Sequence, residues 1–224
     1  MIVKIKRQHS SESESYWQSF RYEGPKHVPV SAVLDALNYT DDLFDIEGKP
    51  APRIRWECSC MQAMCGGCAM VINGVPALAC ATFADEVKGE DLVLEPLSKF
   101  PVVADLIVDR GIIYENLNRA RAYLEALPVS DKKQYKQQYS VAKCLKCGLC
   151  LEVCPNYHPG GDFFGAVFAN DSYLIASQTK GKKAPVIKEY KEHFGAGCSK
   201  ALSCQTVCPM KIETLTTIMR MNRK

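Results

Sequence analysis

Twelve cysteines gather in three groups along this chain, and the last two groups repeat one frame. The middle group reads Cys144-x2-Cys147-x2-Cys150-x3-Cys154-Pro155. The last reads Cys198-x2-Ala201-x2-Cys204-x3-Cys208-Pro209, with alanine in the place of the central cysteine. In the ferredoxin form of this frame, three closely spaced thiolates cap one iron-sulfur cluster while the fourth cysteine ligates another. With fourth cysteines exchanged, one cluster takes Cys144, Cys147, Cys150 and Cys208, a set that suits [4Fe-4S]. Cys154, Cys198 and Cys204 are left for the other, and three thiolates suit [3Fe-4S]. Each frame predicts a turn with a short helix, and each Cys-Pro dipeptide ends its ligand loop.

The front group reads Cys60-x4-Cys65-Gly66-Gly67-Cys68-x11-Cys80. This is the plant-type [2Fe-2S] spacing, a tight loop wrapped on the cluster with one distant cysteine completing it. Small residues Ala63, Gly66, Gly67 and Ala69 let backbone N–H groups approach the sulfurs, and such bonds help set the potential. Cys58, the one cysteine outside the three sets, is expected to be a small buried residue rather than a ligand. Zinc also binds C-x2-C pairs, but a zinc ribbon uses two separated pairs rather than a run of three with a proline-flanked fourth. Met1 opens directly on the strand-like Ile2-Val3-Lys4-Ile5-Lys6 with no leader pattern, so a reducing compartment is expected, where cysteine-rich patterns bind metal rather than pair as disulfides.

Together the clusters describe an electron relay, since they exchange single electrons. The charge, 28 basic against 25 acidic side chains for a net +3, is too balanced to indicate nucleic acid. No apolar run approaches the roughly 18 residues that span a bilayer, so membrane association is expected to be peripheral, through other subunits. The four histidines, His9, His27, His158 and His193, show no metal-ligand spacing, and no G-x-G-x-x-G follows a strand.

Two domains suit 224 residues, and the two motif styles divide the chain into a front domain over 1–104 and a helical one over 105–224. In front, alternation marks strands over Ile2–Lys6 and Tyr16–Tyr22, joined by a polar tip at Ser10–Ser15. A short helix follows from Ser31, its expected N-cap. Ala69–Ile72 and Leu92–Leu94 are further strands, with a turn at Asn73-Gly74. That order is a β-grasp ferredoxin, giving an α+β class: a β-grasp plant-type ferredoxin domain followed by an α-helical bacterial-ferredoxin-like domain. Leu106, Ile107, Ile113, Leu117, Ala120, Tyr123 and Leu124 lie at roughly helical spacing up to Pro128. A polar connection, Ser130 to Ser140, leads to the middle cysteines. Lys180 to Lys191 reads as a solvated segment, and Ile212, Leu215, Ile218 and Met219 as one packed helix face with a frayed basic end at Arg220 to Lys224.

With this motif order, the chain resembles the iron-sulfur subunits of the succinate dehydrogenase and fumarate reductase family over nearly its whole length. The three cysteine groups carry the resemblance, with Ala201 at the family's three-iron position and Phe100-Pro101-Val102-Val103-Ala104-Asp105-Leu106-Ile107-Val108-Asp109 similar to its interdomain linker. The resemblance implies a β-grasp domain facing an FAD-containing dicarboxylate oxidoreductase subunit and a helical domain facing a membrane anchor, with or without haem b. Electrons would pass between FAD, [2Fe-2S], [4Fe-4S], [3Fe-4S] and a quinone, the complex lying on the cytoplasmic face of the cell membrane. The dicarboxylate site would be on the partner chain, because that chemistry needs a two-electron carrier such as flavin.

The chain departs from the family where aromatic residues help form the quinone pocket. It has Asn156-Tyr157-His158-Pro159-Gly160-Gly161 after the middle group, and both tryptophans, Trp17 and Trp56, lie in front. Ser199 stands where histidine is common, and Met210 replaces a lysine of some fumarate reductases. The quinone vicinity is expected at Tyr157, His158 and Ser199. Met61 and Gln62 replace arginine and glutamate in the front loop, altering potential or flavoprotein contact. These departures leave open a relay in a complex that uses a thiol or heterodisulfide partner instead of quinone, and a free ferredoxin.

Overall fold

Alternating residues Val3, Ile5 and Arg7 point to one buried face of the first strand, β1 (Ile2–Arg7), and this periodicity sets the architecture of the front half. The computed structural model describes residues 1–179 and 184–223; Lys180, Lys182, Lys183 and Lys224 lie outside them. Two compact units result, Met1–Asp109 and Arg110–Lys224.

In the first unit, β1 pairs antiparallel with β2 (Tyr16–Arg21) and parallel with β5 (Leu92–Glu95). The hairpin of β3 (Ala69–Ile72) and β4 (Val75–Leu78) completes the sheet in the order β2-β1-β5-β3-β4. Its turn is Asn73-Gly74, with φ of 45° and 78°, the left-handed pair that matches the twist of adjoining strands. Between β2 and β3 lies helix α1 (Val30–Asn38), whose Val30, Val33, Leu34 and Leu37 are buried. Ser31 is not its N-cap. The extended Pro29 occupies that position and Ser31 is buried inside the first turn, because Val30 N–H is already bound by the carbonyl of Thr82.

The expected helical run from Leu106 to Leu124 is only partly helical. Val102–Ala104 (β6) and Ile107–Val108 (β7) form a small hairpin, so Leu106 and Ile107 belong to the first unit's β structure, and α2 spans only Gly111–Arg119. Asp105 turns the hairpin at φ 46° and is buried. Its carboxylate accepts from Arg7 Nε and Nη2 and from the backbone N–H groups of Gln8 and Arg55. Arg7 in turn donates to Gln18 and to the carbonyls of Pro52 and Arg53. Tertiary hydrogen bonding thus overrides a helical spacing.

The second unit is built on α5 (Gly165–Gln178), buried along most of its length, against which α2, α3 (Tyr135–Ala142), α4 (Leu149–Glu152), α6 (Pro185–Tyr190) and α8 (Thr214–Met221) pack. Helix α3 occupies the end of the polar connection. Phe164, Phe168, Tyr173, Tyr190, Ile212 and Met221 share its core, and Cys144, Cys198 and Cys208 lie against that core. On α8 the buried face is Thr214, Thr217, Ile218 and Met221 rather than Leu215 and Met219, which are partly exposed. Starting the helix at Thr214 phases the i, i+3, i+4, i+7 stripe onto the two threonines, whose hydroxyls accept from Asn170 and Gln137. Among the described residues no helix is long and apolar enough to cross a membrane.

Candidate metal centres

The front loop is shaped by the β3–β4 hairpin. Cys68 directly precedes β3 and Cys80 lies in a short 3-10 turn (Ala79–Ala81) directly after β4, so strand pairing brings their sulfurs to 3.3 Å. Ahead of them the chain folds back through left-handed turns at Met61, Ala63 and Gly66. These turns aim N–H groups at sulfur: Ala63 at Cys80 (3.3 Å), Met64 and Gln62 at Cys60 (3.2 and 3.5 Å), and Gly67 at Cys65 (3.5 Å). Ala63 and Gly67 were legible as donors in the sequence; Gln62 and Met64 were not, and Ala69 N–H goes to the Gly66 carbonyl instead. The donors to Cys60 bring its thiol down to about 7, whereas burial pushes Cys68 up to about 12. Four convergent sulfurs whose anionic form is hydrogen-bonded fit a two-iron cluster. Cys58 is exposed rather than buried, with its thiol raised by partial burial and by the neighbouring carboxylate and thiols.

The rear frames have the same backbone. Lys146 and Lys200, each two residues after the first cysteine, have φ of 55° and 60°; Gly148 and Leu202, each two residues later, have φ of 87° and 59°. Each left-handed residue then opens a one-turn helix, α4 in one frame and α7 (Ser203–Thr206) in the other, and α4 and α7 are in contact. A small cavity is lined by five cysteines, Cys144, Cys147, Cys150, Cys204 and Cys208. Cys150 feels the charges of Cys144, Cys147, Cys204 and Cys208, while Cys204 feels Cys154 and Cys198. Cys208 of the last frame thus shares a cavity with the three close cysteines of the middle frame, and Cys204 adjoins both neighbourhoods. Cys147 is buried; Ala201, its counterpart, is exposed.

Burial drives the thiols of Cys147 and Cys204 up to about 11 and holds that of Cys150 well above its ordinary value. Such thiols ionise only when a cation takes the proton's place, which is the donor chemistry of an iron-sulfur site. A lysine missed by the motif reading stands among them. Lys146 Nζ lies 2.9 Å from Asp171 Oδ1. Burial works to lower the Lys146 ammonium, but Asp171 and Cys144 together outweigh it and hold it raised, placing a firm positive charge beside the thiolates. Of the residues expected near a quinone, Tyr157 is buried with its phenol raised by burial and by Cys150, while His158 and Ser199 are exposed. Ser199 Oγ donates to Asn156 Oδ1 at 2.7 Å, joining the two frames.

Comparison with known proteins follows this geometry. The family described as "2Fe-2S iron-sulfur cluster binding domain" matches residues 2–115, and "4Fe-4S dicluster domain" matches 140–212. The succinate dehydrogenase iron-sulfur subunit of Bacillus subtilis is 28% identical over 98% of this chain and 90% of its own. A fumarate reductase iron-sulfur subunit of Mycobacterium tuberculosis is 32% identical over 86% of this chain and 81% of its own. In fold, the chain is similar to one from the Mycobacterium smegmatis Sdh1 complex in the apo form, with a TM-score of 0.79, 22% identity, and coverage of 99% of this chain and 93% of that one.

Proposed function

Because the chain belongs to the iron-sulfur subunits of the succinate dehydrogenase and fumarate reductase family, we propose that it carries electrons between an FAD-containing dicarboxylate subunit and a quinone held at a membrane anchor. The observation that supports this reading is that Cys208 lines one cavity with Cys144, Cys147, Cys150 and Cys204, while Cys204 also feels the charges of Cys154 and Cys198. Cys60, Cys65, Cys68 and Cys80 would hold [2Fe-2S]; Cys144, Cys147, Cys150 and Cys208 would hold [4Fe-4S]; Cys154, Cys198 and Cys204 would hold [3Fe-4S]. When bound, the clusters supply one-electron transfer, dividing the pair that a flavin handles.

The polypeptide's part is positioning and electrostatics. Backbone N–H groups of Gln62, Ala63, Met64 and Gly67 stabilise negative sulfur in front, favouring the reduced state. Lys146, fixed by Asp171, does the same at the rear. The dicarboxylate site belongs to the flavoprotein, and the subunit sits peripherally on the cytoplasmic face of the membrane through its partners. The quinone would lie in the vicinity of Tyr157, His158 and Ser199 in the second unit.

Electron paramagnetic resonance of the purified native complex, as isolated and after stepwise reduction, tests the reading when subunits and flavin are counted alongside. An oxidised three-iron signal, two further signals on reduction and bound FAD are expected. A complex without a flavoprotein, or intact anaerobic protein with no three-iron signal, would overturn it.

A further inference from the structure

At the end of α6 the chain makes one wide turn of π type, Lys191–Gly195. Such insertions recur at functional sites. This one gathers Glu189, Glu192 and His193, with one donor atom of each within 4.8 Å of the others. No spacing motif announces it, because a single histidine is involved and the other two groups are carboxylates.

His193 is 5% exposed. Its ring is held by stacking on Phe164, with centroids 4.1 Å apart and planes 6° from parallel, while the Phe164 N–H donates to the His193 carbonyl. Nδ1 lies 2.9 Å from the Asp162 carbonyl oxygen. A carbonyl only accepts, so Nδ1 carries a ring proton, and Nε2 is the ring atom turned toward the carboxylates. That is how metal-binding histidines are oriented. Among the described residues Nε2 makes no hydrogen bond. Its nearest ionic neighbour, Glu189 Oε2, stands 3.5 Å away, longer than the roughly 2.7–2.9 Å of a charge-assisted hydrogen bond. The separation instead approaches the donor-to-donor edge of about 3.3 Å around a tetrahedral ion with bonds near 2.05 Å.

Nε2 facing a carboxylate requires positive charge between them, supplied by a metal ion or by a second ring proton. We infer that Glu189, Glu192 and His193 form a binding site for one divalent first-row transition-metal ion, separate from the cysteine sets. Imidazole with two carboxylates suits zinc, manganese or ferrous ion rather than a thiolate-seeking centre. Glu192, the exposed member, closes onto the ion by side-chain rotation, and the three-donor set leaves a position for water. The turn runs through Gly195 and Gly197 into Cys198, so the ion pins the chain just ahead of the last cysteine frame.

The test uses the native, cluster-loaded complex, washed with chelator and dialysed against zinc chloride, with bound zinc counted per chain and examined by X-ray absorption. One zinc beyond the washed level, in a shell of nitrogen and oxygen only, is expected. Glu192→Gln, at an exposed position, should weaken uptake about tenfold, and Glu189→Gln with Glu192→Gln should abolish it, with the cluster absorption spectrum unchanged in both. No uptake by the wild type, sulfur in the zinc shell, or undiminished affinity in both variants would overturn the site; the first of these would mean that a second proton on His193 supplies the charge.

Discussion

Leu202 sits at a left-handed position that its counterpart in the other frame fills with glycine. A Cβ there costs about 1–2 kcal/mol, and a leucine is accepted only because the cysteines on either side fix the backbone. Glycine at 148 signals the turn in the sequence; leucine at 202 gives no local sign of one, and only the repeated frame reveals it. Gly148→Ala is expected to destabilise the protein by about 1 kcal/mol, read as a lowered urea midpoint; an unchanged midpoint would mean the left-handed turn is not needed. Asp45 shows the same local logic with charge. Its carboxylate accepts N–H groups from Lys49 and Glu47 and the Gln18 amide, and the Lys49 bond foremost holds its carboxyl below the usual range. The folded state thus binds this proton less readily than the unfolded one. The turn's contribution is complete above about pH 4 and fades as pH falls through the folded value. A carboxyl-carbon NMR titration should find the Asp45 midpoint below that of an unfolded aspartate, and a midpoint at or above it would remove the effect.

At the scale of elements, alternation made β1 legible and placed Arg7 on its buried face, but nothing near Arg7 in sequence named its partner. Asp105 lies directly before a stretch whose apolar spacing reads as helix. The physical reason it is not helix is that a buried guanidinium demands a carboxylate, and the β6–β7 hairpin delivers one along with backbone acceptance for Gln8 and Arg55. Arg7→Met should therefore cost about 3–5 kcal/mol in urea unfolding, since it strands a buried carboxylate. Arg7→Met combined with Asp105→Asn should recover part of that loss, because the charge is gone while an acceptor for the two N–H groups remains. A double variant no more stable than Arg7→Met would show that the pair is structural packing rather than charge matching. The phase of α8 was also hidden, since choosing Thr214 over Leu215 depends on hydroxyl partners on α3 and α5.

At the scale of the molecule, spacing alone brought the two rear frames together, because the ligand frame is a local geometric rule repeated twice, and Cys208 does share a cavity with Cys144, Cys147 and Cys150. Lys146 escaped that rule, since a lysine between two cysteines reads as solvent-facing until Asp171 on α5 is placed beside it. Exchange of the fourth cysteines, as proposed, would make the two frames interdependent, and this gives opposite expectations for two similar substitutions. Cys208→Ser lies in the last frame but removes a wall of the Cys144, Cys147 and Cys150 cavity, so it should damage the four-iron centre while the three-iron signal persists. Cys154→Ser lies in the middle frame, but the charge of Cys154 reaches Cys204 of the last frame, so it should do the reverse. Resonance spectra of both variants decide the matter, with quinone reduction by each complex expected to fall at least about tenfold while dye reduction at the flavoprotein is kept. Loss of the three-iron signal alone in Cys208→Ser would assign each frame to its own cluster. The shared backbone of the frames would then reflect duplication without exchange, and the cavity that joins them would need another purpose.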